Sequence, residues 1–94
     1  SANPIEQEDN PPIIASVDVK GRYYLNVGDD QETPIDKDEL AAIVQAQLQK
    51  DENTPVVVKG DGQVAYNEVI QLMVLLQSAG VPSVGLMTDP VEPE

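Results

Sequence analysis

The sequence predicts an α+β fold in which elements run β-β-α-β-α-β and two helices pack on one face of a sheet. Three observations carry that prediction. Residues 13 to 19, IIASVDV, alternate with the period of a strand buried on one side, and Lys20-Gly21 turns the chain back into RYYLNV. The run from Ile35 to Leu40 holds the parts of a helix start. From Tyr66 to Ala79 an apolar stripe recurs at helical spacing, closes on Gly80, and gives way to a last short apolar run.

The elements follow in order. Asn10-Pro11-Pro12 ends an acidic leader, because neither proline donates to a ladder and each pushes the residue before it to an extended shape. The domain is therefore expected over residues 13 to 88, with residues 1 to 12 as an acidic proline-containing linker and 89 to 94 as an acidic tail. Asp36 is the expected N-cap of the first helix, with Glu39 as its capping-box partner and Ile35 stapled against Leu40. Leu40, Ile43, Val44 and Leu48 then form the inner stripe, Gln45, Gln47 and Gln49 face away, and Asp51-Glu52-Asn53 ends the helix before Pro55. Residues 56 to 59, VVVK, are a β-branched run that suits a strand covered on both faces. Gly60-Asp61-Gly62 is a turn. In the second helix Asn67, Glu68, Gln71 and Ser78 share a polar sector opposite Val69, Ile70, Met73 and Leu76, whereas Val74 and Leu75 project at its borders. In the last strand, SVGLMT, Val84 and Leu86 share one face and Gly85 and Met87 the other, and Pro90 stops it.

Composition removes whole classes of function. The chain has 94 residues, five basic against seventeen acidic, and a net charge of -12. Nucleic acid is repelled by such a surface and is not an expected partner. No Cys or His is present, which excludes Ser-His and Cys-His nucleophiles and thiolate or imidazole metal sites. No apolar run reaches the roughly 18 residues of a membrane span, and the leader has neither the basic start nor the apolar core of a signal peptide. Asp29-Asp30 and Asp51-Glu52-Asn53 lack calcium-loop spacing, so no metal and no cofactor are expected. Three tyrosines offer little platform for a sugar between two carboxylates, and no catalytic residue is assigned. Tyr23 and Tyr24 are expected to pack on the sheet, Asp61 to bond its own turn, and Lys59 and Lys50 to be solvated.

A core of about 76 residues is marginal alone, and an apolar terminal strand together with Val74 and Leu75 asks for further burial. A homodimer is expected, with Val74, Leu75, Val84, Leu86 and Met87 as interface candidates.

The stretches VDVKGRYYLN, IDKDELAAIVQ and VVVKGDGQVAYNEVIQLMVLLQSAGVPSVGLMTDP resemble the ExbD/TolR family in order and spacing over residues 13 to 90. Val64-Ala65-Tyr66, Ala79-Gly80-Val81 and Val84-Gly85-Leu86-Met87-Thr88 are the most specific parts. Gly60-Asp61-Gly62 and Ala65 depart from the common pattern, and both departures fall in one loop. The resemblance implies a periplasmic domain of an inner-membrane protein, joined to the membrane only through an upstream transmembrane helix. It also implies work beside TolQ and TolA in the Tol-Pal system, which uses the proton-motive force in outer-membrane maintenance and cell division. The family's proton-linked Asp would lie in that upstream helix, and peptidoglycan is the implied non-protein ligand. Alternatives are an ExbD-like partner of TonB-dependent uptake, and a cell-wall-binding or hydrolytic domain.

Overall fold

A computed structural model describes residues 11 to 28 and 31 to 87. Most of the acidic leader, Asp29-Asp30 and the tail lie outside the described residues. The elements are β1 (Ile13–Val17), β2 (Tyr23–Leu25), α1 (Lys37–Lys50), β3 (Val56–Gly60), α2 (Tyr66–Ser78) and β4 (Val84–Met87), in the expected order. They form one four-stranded sheet in the order β2-β1-β3-β4. β2 runs antiparallel to β1, whereas β3 and β4 are each parallel to the neighbour before them. Hairpin and helical crossovers dictate this mixture, since two parallel strands need a long connection and α1 and α2 supply it.

Local chemistry sets the boundaries. Asp36 caps α1 as expected, its Oδ1 accepting from the Glu39 N–H at 2.8 Å. Asp36→Ala should cost about 1 kcal/mol, read as a lower melting temperature with an unchanged circular dichroism spectrum at low temperature. Asp51 ends α1 and folds its own turn, its Oδ1 accepting from the Asn53 N–H. Gly80 follows α2 at φ +104°, the left-handed conformation of a helix stop, and the Val81 N–H returns to the Leu76 carbonyl.

The core lies between the helices and one face of the sheet. Ile13, Ala15 and Val17 of β1, Leu25 of β2 and Val56 and Val58 of β3 meet Leu40, Val44, Val69, Leu72, Leu76 and Val81. Among the described residues no polar or charged residue is buried. Two readings of the sequence need correction. β3 is central, yet its second face is open: Val57 and Lys59 are half-buried there, because both helices sit on the Val56 and Val58 side. A β-branched run therefore marked a central strand without marking two covered faces. In α2, Leu72 is fully buried although it stood outside the expected inner group, while Ile70 and Met73 are only half-buried. The helix is rotated toward Leu72, which also brings Leu75 half-buried against the core.

Candidate functional site

The two sheet edges are treated differently by the chain. At the β2 edge the Ile35 N–H donates to the Tyr23 carbonyl at 2.9 Å, so the segment entering α1 closes part of it. β4 is paired only with β3 among the described residues. Its outer backbone groups form an open edge, the feature that invites another strand.

Side chains around that edge are apolar. Val84 and Leu86 are in register with Val56 and Val58 and so lie on the helix side. Val84 packs against the core, while Leu86 remains 45% exposed because α2 does not extend over it. Met87, in register with Lys59, lies on the opposite face and is 39% exposed. Val74 is 55% exposed on α2. At 100° per residue Val74 falls with Ile70 on the flank opposite Glu68 and Leu75. Glu68 reaches Gly21 in the hairpin, so the Glu68 and Leu75 flank faces β2 and the Val74 flank faces away from it. The interface candidates thus divide: Val74, Val84 and Leu86 lie on the helix layer, Leu75 turns toward the interior of that layer, and Met87 is on the open face.

The hairpin end of the open face is polar and tightly organised. Five residues, Asp18 to Arg22, connect β1 to β2, with Gly21 at φ +79°. Asp18 accepts from the Lys20 and Arg22 N–H groups at 2.9 Å each, from Arg22 Nε at 2.8 Å and from the Tyr24 hydroxyl at 3.1 Å. These donors, the Arg22 backbone N–H foremost, hold its carboxyl down at about 2 against the desolvation that raises it. A carboxyl depressed on folding stabilises the fold above its ordinary value, and that stability is lost as the pH falls through the folded one. The protection of the Arg22 and Tyr24 amides, taken relative to their intrinsic exchange rates, should therefore fall between about pH 4 and pH 2, and Asp18→Asn should show reduced protection already at neutral pH. Tyr23 and Tyr24 separate here. Tyr23 packs on the core, and Tyr24 lies on the open face beside Ser16. Asp61 extends the β1-β3 pairing through its N–H to the Val17 carbonyl.

No group of three or more acidic, His or Cys side chains able to hold a metal occurs among the described residues. The hollows near β2 and at the start of β3 are open grooves of 280 and 340 Å³. Among the described residues the geometry offers an open strand edge with apolar flanks and an open sheet face.

The family model described as "Biopolymer transport protein ExbD/TolR" matches residues 1–91. The chain belongs to the ExbD/TolR family. It is 34% identical over 87 residues to "Tol-Pal system protein TolR" of Haemophilus influenzae, covering 93% of this chain and 63% of that protein. It is 36% identical over 87 residues to the Escherichia coli K12 protein of the same name, covering 93% and 61%. The Pseudomonas aeruginosa protein of that name is 33% identical over 96 residues, covering 95% and 66%. This ExbD/TolR domain thus spans about six-tenths of the length of the first two relatives. No helix among its described residues is long and apolar enough to cross a membrane.

Proposed function

We propose that this chain is the folded periplasmic domain of a TolR-like inner-membrane protein of the Tol-Pal system. In that role it works beside TolQ and TolA, helps couple the proton-motive force to outer-membrane maintenance and cell division, and contacts peptidoglycan without hydrolysing it. Three relatives named as Tol-Pal system proteins support the setting.

The observation that carries the molecular role is the open β4 edge with exposed Leu86 and Val74 beside it. A second copy supplies the most economical partner: β4 against β4 about a two-fold axis extends two four-stranded sheets into one and sets the two α2 helices side by side. A transducer built this way transmits force from one subunit to the next through a shared ladder. The chain should purify as a dimer, and the protein carrying its membrane anchor should co-purify with TolQ and TolA. Recovery of TonB in place of TolA would instead support the uptake alternative, and release of soluble muropeptides would support the hydrolytic one.

A further inference from the structure

Between β2 and α1 the surface carries two adjoining grooves. One, of 280 Å³, is lined by Leu25, Val27, Pro34, Ile35 and Ile43 together with Glu39. The other, of 290 Å³, continues along the same flank of α1, with Val27 again in its wall beside Pro12, Gln47 and Lys50. Val27, Ile35 and Ile43 are half-buried: they pack against the core on one side and turn the other to the groove. β2 and β4 are the outer strands of the sheet, so a copy paired through β4 leaves these grooves open.

The helix sets a charge at each end. Glu39 and Lys50 are 11 positions apart in α1. At 100° per residue they return to within about 20° of one another, and at 1.5 Å per residue they stand roughly 16 Å apart along the axis. Ile43 lies between them, one turn from Glu39. Neither Glu39 nor Lys50 makes an ion pair among the described residues. Asp36 and Asp38 add negative charge at the Glu39 end, while Lys37 projects about 160° away from Glu39. At the other end Asp51 is committed to its own turn, its Oδ1 accepting from the Asn53 N–H at 3.0 Å. The surface is an apolar trough with a carboxylate at one end and an ammonium at the other.

Its length matches an extended chain, which covers about 16 Å in five residues. The charges select which chain. The leader of this protein holds Glu6, Glu8 and Asp9 and no basic residue, so it complements Lys50 but brings like charge to Glu39. We propose that the trough binds an extended segment of a partner protein in which apolar residues lie between a basic and an acidic residue about five positions apart. The basic residue meets Glu39, the apolar ones fill the hollow over Val27, Ile35 and Ile43, and the acidic one meets Lys50.

The test is a titration of isotope-labelled chain with a capped pentapeptide of lysine, leucine, threonine, leucine and glutamate, followed through the resonances of Val27, Ile35 and Ile43. Shifts should concentrate on these residues and spare β4. Glu39→Gln or Lys50→Gln should raise the dissociation constant about threefold, and the double variant about tenfold. Their melting temperatures should barely change, because both side chains are exposed. Glu39→Lys should weaken this peptide and strengthen one with glutamate at both ends, an inversion that damage to the fold does not produce. No shifts in the trough, or equal binding of all peptides whatever their charge, overturns the proposal. If deleting residues 1 to 10 moves the Ile35 and Ile43 resonances, the leader occupies the trough; if diluting the chain moves them, a second copy does. Either result overturns the proposal as well.

Discussion

Leu72→Ala leaves the domain close to the limit of folding. Leu72 is fully buried on the face of α2 that meets the sheet, and its neighbours in the core come from both layers. Truncation removes transfer free energy and leaves a cavity, at about 2 to 5 kcal/mol for a buried leucine. A domain of roughly 76 residues commands on the order of 4 to 11 kcal/mol in total. Thermal melts should show a fall of at least about 10 °C, with the cold spectrum retaining its helical content only if the remaining stability suffices. Gln71→Ala, one residue away and exposed, should change stability by less than about 0.5 kcal/mol. Equal effects of the two substitutions would mean that α2 is rotated from the orientation described.

Leu86→Asp should turn the proposed dimer into a monomer at micromolar concentration. Leu86 lies on the helix side of an edge strand, held there by the register of β4 on β3, and nearly half of it is exposed in one copy. In a two-fold assembly the change is counted twice, and two carboxylates are brought to one apolar contact. The dissociation constant should rise at least about 100-fold, close to 3 kcal/mol. Val74→Asp should act in the same direction, whereas Leu75→Asp should unfold the chain, because Leu75 packs against the core. Sedimentation velocity separates these outcomes. Leu75→Asp folding normally and dissociating the dimer would place the interface on the other flank of α2.

The elements were legible because their signals are local. Asp36 and Glu39 sit at fixed spacing, Gly80 adopts the conformation only glycine favours, and the hairpin residues alternate in a short window. What the sequence did not disclose depends on neighbours distant along the chain. Val57 reads as a buried residue in a β-branched run, and only the placement of both helices on one face leaves it half-open. Leu75 bordered a polar sector on a helical wheel, and the rotation of α2 that buries Leu72 draws it inward. The open edge was signalled by Val84, Leu86 and Met87, since an apolar strand near an acidic segment lacks an obvious second partner.

The most direct test of the proposed assembly is an isotope-filtered nuclear Overhauser experiment on an equal mixture of labelled and unlabelled chains. Contacts between copies should connect backbone protons of residues 84 to 87 in an antiparallel pattern, with side-chain contacts from Leu86 and Val74. A monomer at millimolar concentration, or intermolecular contacts that avoid β4, would contradict the account.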